Sequence, residues 1–192
     1  MEKYYSISPY AHCAGNPVNL VDPDGKEIFV SKEYQEQFLN DLHNVFGDKV
    51  KFFVFNDEGL LQLNSSAKEF RKGLSKDQKG AFKGLNKALN DKERTSIVYS
   101  DIYDITMGGA AKTVDVVLQF GGGLYSRTDN LIVIAPSVGD VNVTVFDSNY
   151  INEQTVKQNT TSVLFHEIGE RNTKDEHFRG GVVDFENYAR RA

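Results

Sequence analysis

Cysteine and long apolar runs are scarce in this sequence, and each scarcity excludes a class of structure. Cys13 is the only cysteine among 192 residues, which excludes an intrachain disulfide and a cysteine-rich metal site. No basic stretch followed by an apolar one opens the chain, and no apolar run approaches the ~20 residues that span a bilayer. We therefore expect neither a signal peptide nor a membrane segment.

The charge balance is acidic and argues against nucleic acid as a partner. Lys and Arg number 22, Asp and Glu number 27, and the net charge is −5. The sequence contains no basic stripe of the kind that binds phosphate backbones.

With 40% hydrophobic residues, the chain is long enough for one well-buried domain and short for two. We expect a single globular domain with a short appendage.

The first part of the chain is predicted to form helices around one hairpin. Apolar residues recur at helical spacing over residues 32–46, after Ser31 as N-cap and before Gly47. Two apolar runs on either side of residues 56–59 indicate a strand, a turn and a strand. A capping box that begins at Ser75 then opens a second long helix.

The second part is predicted to form strands and then two helices. Turns rich in glycine and proline separate the β-rich segments, which cover residues 97–99, 114–120, 131–135 and 141–146. The three glycines at 121–123 are predicted to form a hairpin or a bulge. Asn159 or Thr160 is expected to cap the next helix, and residues 182–191 are predicted to form the last one. The class predicted for the whole chain is α+β with a mainly antiparallel sheet.

The run SVLFHEIGER, residues 162–171, has the layout of a metallopeptidase helix with one ligand changed. In the pattern His-Glu-x-x-His, two imidazoles one helical turn apart hold zinc, and the intervening Glu activates a water molecule. Here Glu170 replaces the second His. With 3.6 residues per turn, His166 and Glu170 still share one helix face, and a carboxylate oxygen is a competent zinc ligand. We predict His166 and Glu170 as metal ligands and Glu167 as the catalytic base.

Strands followed by this helix, a turn and a final helix resemble the arrangement of small zincin metallopeptidases. The resemblance implies a third ligand further along the chain, and Glu186 is the first candidate because a downstream helix donates a carboxylate in Glu-zincins. His177 is the second candidate. It is similar to the third His of metzincins, although it lies one residue too far along and lacks their spaced Gly. Glu176 is the third. Oxyanion stabilisation is suggested for Arg171, Arg190 or Tyr188.

Residues 4–26, YYSISPYAHCAGNPVNLVDPDGK, are turn-rich and unlike the rest of the chain. This stretch closely resembles the end of the RHS repeat-associated core domain, which reads much like YAYCxNNPVNxxDPxG. In that family a variable module, commonly a toxin, follows the DPxG signature, which is matched here by residues 22–25. The resemblance implies an RHS core remnant at 1–26 and a zincin-like tip domain at 27–192. It also implies secretion or cell-surface delivery when the tip is attached to a full RHS protein.

The two resemblances together predict a metal-dependent, peptidase-like toxin module. Zinc is the expected cofactor, and the carboxylate-rich ligand set makes manganese or iron a competitor. The expected partners are a protein substrate in a target cell and a cognate immunity protein. Two alternatives stay open. One is a degenerate, non-catalytic zincin-like module that acts by binding or in interbacterial competition without hydrolysis, and the other is a nuclease tip, which the acidic charge disfavours.

Overall fold

The computed structural model of the chain describes residues 27–107, 110–139, 141–146 and 153–173, together with Ala189. The predicted appendage at residues 1–26 lies outside the described residues. So does the predicted last helix at 182–191, apart from Ala189, which is helical and buried.

Ten strands and five α-helices make up the described part of the chain, with two short 3-10 helices between them. The strands are β1 (Ile28–Val30), β2 (Phe53–Phe55), β3 (Leu61–Leu63), β4 (Thr95–Tyr99), β5 (Ile102–Met107), β6 (Ala110–Asp115), β7 (Gly123–Ser126), β8 (Leu131–Ile134), β9 (Val141–Phe146) and β10 (Glu153–Gln158). The α-helices are α1 (Gln35–Phe46), α2 (Ala67–Phe70), α3 (Lys76–Leu89), α4 (Val116–Phe120) and α5 (Thr160–Thr173), and the 3-10 helices are Gly47–Phe52 and Pro136–Val138.

A mixed four-stranded sheet with the order β1-β4-β8-β7 forms the centre of the fold. Strands β1, β4 and β8 pair in parallel, whereas β7 is antiparallel to β8. The pairs β2–β3, β5–β6 and β9–β10 are separate antiparallel hairpins. The α+β class is therefore confirmed, and antiparallel pairs predominate. The centre is parallel, which requires long connections between its strands. Helices α1, α2 and α3 and the β2–β3 hairpin lie between β1 and β4, whereas the β5–β6 hairpin, helix α4 and strand β7 lie between β4 and β8.

The two faces of the central sheet bury different sets of apolar side chains, because alternate residues of a strand point to opposite faces. Ile97 and Ile132 belong to the main core, to which helices α1, α3 and α5 also contribute. Leu131 and Val133 belong to a smaller cluster that includes Val116 of α4. Helix α5 packs against α1, α3, β7 and β8, so its position depends on the main core.

Most of the helices and turns predicted for the first part of the chain are confirmed. Strands β2 and β3 form the predicted hairpin. Helix α1 ends at Gly47 as predicted, although it begins later than predicted, at Gln35, and the side chain of Ser31 does not cap it. Ser75 and Gln78 form the predicted capping box of α3, in which each side chain accepts from the other residue's backbone N–H.

The predicted strand at residues 114–120 is wrong from residue 116 onward. Strand β6 ends at Asp115, and helix α4 follows at once. The Oδ1 of Asp115 accepts a hydrogen bond from the backbone N–H of Leu118 at 2.8 Å, which caps the helix. Gly121 ends it in the left-handed conformation, with φ at 73°. The β-branched residues at 116 and 117 favour a strand, but the caps at both ends favour a helix and outweigh that preference.

A buried carboxylate joins helix α1 and strand β4 to the first turn of helix α5. Asp41 is 2% exposed. Its Oδ1 accepts hydrogen bonds from the hydroxyls of Thr160 at 2.7 Å and Thr161 at 2.8 Å, and its Oδ2 accepts one from the Tyr99 hydroxyl at 2.6 Å. Burial raises the pKa of Asp41 above its ordinary value, although the three hydrogen bonds oppose this effect.

We predict that Asp41 makes the stability of the fold depend on pH. Because the folded-state pKa is raised, the folded protein holds this proton more tightly than the unfolded chain does. The resulting stability is present in full below the unfolded pKa of about 3.9 and is lost as the pH rises through the raised folded pKa. The measurement is urea unfolding at several pH values between the unfolded and the folded pKa. The free energy of unfolding should fall with rising pH in the wild type and should not do so in Asp41→Asn.

The control is Tyr99→Phe, which keeps the carboxylate and removes one of its donors. We expect this variant to lose about 1.5–3 kcal/mol of stability, as for a hydrogen bond to a charged group, and to keep the decline with pH. If the wild type and Asp41→Asn gave parallel stability profiles, Asp41 would not be the source of the pH dependence.

Candidate metal centre

Helix α5 carries the candidate residues, and its start is defined by a local cap. The side-chain Oδ1 of Asn159 accepts a hydrogen bond from the backbone N–H of Ser162 at 3.0 Å, and the backbone N–H of Asn159 donates to Ser162 Oγ at 3.0 Å. This confirms the predicted cap at Asn159. Leu164 and Ile168 are buried in the main core, as predicted, and they turn one helix face towards α1 and α3.

His166 and Glu170 lie one turn apart on another face of α5 and contact each other. The His166 Nε2 atom lies 3.3 Å from Glu170 Oε1. The side chain of His166 is 25% exposed and that of Glu170 is 9% exposed, so the pair lies at the margin between the core and solvent. The predicted geometry of this i, i+4 pair is therefore confirmed.

Glu167 is buried next to this pair, against the first residue of strand β7. It is 4% exposed. A Cβ atom added to Gly123 would lie 2.5 Å from Glu167 Oε1 and 3.1 Å from its Cδ, and it would also collide with Val163. The backbone of β7 thus approaches the Glu167 carboxylate more closely than any other residue type at position 123 would allow. We conclude that Gly123 makes room for this carboxylate.

The three side chains form a set that suits a divalent metal ion. One ligand atom from each of His166, Glu167 and Glu170 can be chosen so that all lie within 4.8 Å of one another. Imidazole nitrogen and carboxylate oxygen are ordinary zinc ligands, and partial burial limits competition from water. The residues present therefore fit a metal, with His166 and Glu170 as the more accessible members and Glu167 as the more buried one.

The remaining predicted site residues lie outside the described residues. These are the three candidates for the third ligand, Glu186, His177 and Glu176, together with Tyr188 and Arg190. Their roles stay predictions. The structure thus brings together the three residues of the modified motif.

Arg171 does not fit the predicted oxyanion role, because its guanidinium is buried and engaged elsewhere. It is 3% exposed and donates hydrogen bonds to Thr95 Oγ1 at 2.7 Å, to Asp91 Oδ2 at 3.0 Å and to the carbonyl of Glu93 at 2.9 Å. Burial alone would raise the pKa of Asp91, but the Glu93 backbone N–H and the Arg171 charge lower it below its ordinary value. Arg171 therefore anchors the end of α5 to the loop before β4.

Comparisons with known proteins do not extend this picture. No family model, no curated protein and no solved structure matches the chain. In the described part of the chain, no helix combines the length and the apolar character needed to cross a bilayer. The function of the chain is therefore inferred from the geometry of α5 and from the sequence resemblances.

The contact between Gly123 and Glu167 can be tested by adding one methyl group. We predict that Gly123→Ala lowers the free energy of unfolding by about 1–3 kcal/mol, because the new Cβ overpacks against Glu167 and Val163. Val163→Ala in the same chain should restore part of this loss, since it removes one of the two collisions. The measurement is chemical denaturation of the two single variants and the double variant.

The control is Gly121→Ala, two residues away. A Cβ at position 121 meets nothing within 4 Å, so this variant reports only the cost of a side chain at φ 73°. Strictly additive effects of Gly123→Ala and Val163→Ala would mean that the two positions are not in contact.

Proposed function

We propose that residues 27–192 form a metal-dependent, peptidase-like toxin module. The observation that carries this proposal is the pairing of His166 with Glu170 on one helix face, with Glu167 buried between that face and β7. Hydrolysis by a zincin needs two metal ligands one turn apart and a carboxylate at the position after the first. The chain provides this set, with a carboxylate in place of the second imidazole.

In this proposal, each of the three residues has a separate role. His166 and Glu170 would hold the ion, and Glu186 is the first candidate for the third ligand, with His177 as the second. A divalent ion there would lower the pKa of water towards 7 and polarise a scissile carbonyl. Glu167 accepts a proton as general base and later donates it to the leaving amine.

The carboxylate-rich set affects the choice of metal. Oxygen ligands are harder than imidazole nitrogen, so this site favours Mn or Fe more than a two-histidine site does, with Zn still the expected ion.

Glu167 contacts β7 through Gly123, so the sheet restricts where its carboxylate can move. A base that is held in place loses less conformational entropy when it acts.

The RHS resemblance supplies the proposed setting. Residues 1–26 resemble the end of an RHS core, after which a variable toxin module follows. A full RHS protein would deliver the tip into a rival cell, where a protein is the proposed substrate. A cognate immunity protein in the producing cell is then expected as a second partner.

A second candidate function is a degenerate zincin-like module without catalysis. The observation that favours it is the 3.3 Å contact between His166 Nε2 and Glu170 Oε1, because these two groups can satisfy each other without a metal. In this alternative the module acts by binding in interbacterial competition. Metal content and hydrolysis distinguish the two functions.

We predict that the purified protein contains about one transition metal ion per chain and that His166→Ala and Glu170→Ala lose it. Glu167→Gln should keep the metal and reduce hydrolysis of casein by about 10²–10⁴-fold, because it removes the general base and leaves the ligands. Glu186→Ala and His177→Ala assign the third ligand, as only the true ligand variant should lose the ion. Elemental analysis and mass spectrometry of the casein digest provide the readouts.

The matched control is Glu36→Gln, which neutralises an exposed acid on helix α1 and should change neither readout. A protein that binds neither added Zn nor added Mn would rule out the peptidase. Metal bound without any cleavage, and with toxicity in target cells that is unchanged in Glu167→Gln, would favour the non-catalytic alternative.

A further inference from the structure

Positive charge is concentrated on one short segment of this acidic chain. Residues 67–83 contain six basic and two acidic side chains, a net charge of +4, which leaves −9 for the rest of a chain whose total is −5. The segment comprises helix α2, the loop after it and the first half of α3. These basic residues are spread along the segment and do not form one continuous run. They form a single positively charged surface only when the two helices come together.

An open, shallow groove, here called the basic groove, lies between α2 with the turn after it and the first turn of α3, and it has a volume of about 370 Å³. It is lined by Ala67, Lys68, Arg71, Lys72 and Lys79. All four cations are exposed. Ala67 and the aliphatic stems of the long side chains provide apolar walls, while the charged ends remain available to solvent or to a partner.

Most of this charge is not neutralised within the described part of the chain. Lys72 pairs with Glu69 at 2.7 Å, but no ion pair involves Lys68, Arg71 or Lys79 among the residues that the structure describes. Lys68 belongs to α2, and Arg71 and Lys72 directly follow this helix, so charges of one sign lie close together along the chain. An unneutralised cluster of this kind is what a surface for a negatively charged partner requires.

The backbone beneath the groove is fixed, which lowers the entropic cost of binding there. Ser66 caps α2 by accepting a hydrogen bond from the backbone N–H of Glu69 at 3.2 Å, and Lys49 Nζ donates to the Phe70 carbonyl at its end at 2.9 Å. The Phe70 side chain is fully buried, with its ring centroid 4.5 Å from that of Phe82 in α3. The cations therefore extend from a rigid support.

We infer that the basic groove binds a short acidic segment of a partner protein. A DNA duplex carries about one charge per 1.7 Å and would extend beyond the groove over surface belonging to a remainder of charge −9. Four cations are also fewer than the roughly six to ten phosphate contacts of a typical DNA-binding protein. Among the residues that the structure describes, no aromatic side chain lines the groove to stack on bases. A short run of Asp and Glu matches the groove in charge.

The test uses a fluorescein-labelled oligoglutamate peptide as probe and fluorescence anisotropy as readout. The triple variant Lys68→Glu, Arg71→Glu, Lys79→Glu should bind the peptide about tenfold or more weakly than the wild type at low salt. The control variant Lys92→Glu, Lys112→Glu, Arg127→Glu changes the net charge by the same amount at exposed positions outside the groove. It should weaken binding by about twofold or less. Urea denaturation checks that both variants are folded.

Three results would overturn the inference. The first is a wild type that binds the peptide no better than the groove variant does. The second is a control variant that loses as much affinity as the groove variant, which would indicate a general charge effect. A short DNA duplex that bound more tightly than the peptide, with the same dependence on Lys68, Arg71 and Lys79, would assign the groove to nucleic acid. None of these results depends on metal binding or hydrolysis, so the inference can fail while the proposed function stands.

Discussion

The candidate site depends on a helix that is held at both ends by buried charged side chains. Asp41 accepts hydrogen bonds from Thr160 and Thr161 at the start of α5, and Arg171 donates to the loop before β4 at its end. Burying a charge is favourable only when its partners are complete, and removing one partner leaves an uncompensated charge. These two anchors leave α5 little freedom to rotate or shift, and so they fix the direction in which His166 and Glu170 point.

A cluster of aromatic rings connects the site helix to the basic groove. The Phe46 ring lies 6.2 Å from Phe165, the neighbour of His166, and 5.5 Å from Phe70, which forms the end of α2. The Phe82 ring of α3 packs against both Phe46 and Phe70. Since protein interiors are close-packed, the candidate site and the groove share one rigid core although they are carried by different helices. The two surfaces can thus serve separate partners without a flexible linker between them.

Local patterns in the sequence were sufficient wherever the deciding contacts are a few residues apart. The capping box at Ser75, the cap at Asn159 and the end of α1 at Gly47 were all predicted, because each depends on hydrogen bonds or backbone angles within one turn. The spacing of His166 and Glu170 belongs to the same class. Helix α4 is an exception although its caps are also local, because the β-branched residues that follow Asp115 favour a strand.

What the sequence by itself determined is therefore helices α1, α3 and α5, the first hairpin, and the placement of His166, Glu167 and Glu170 on one helix. Only the tertiary structure decided that β1, β4 and β8 pair in parallel, that Gly123 lies against Glu167, and that Arg171 is an anchor. The physical reason is distance along the chain. Hydrogen bonding and helical periodicity act over one turn, whereas these contacts join residues tens of positions apart and depend on how all the elements pack around one core.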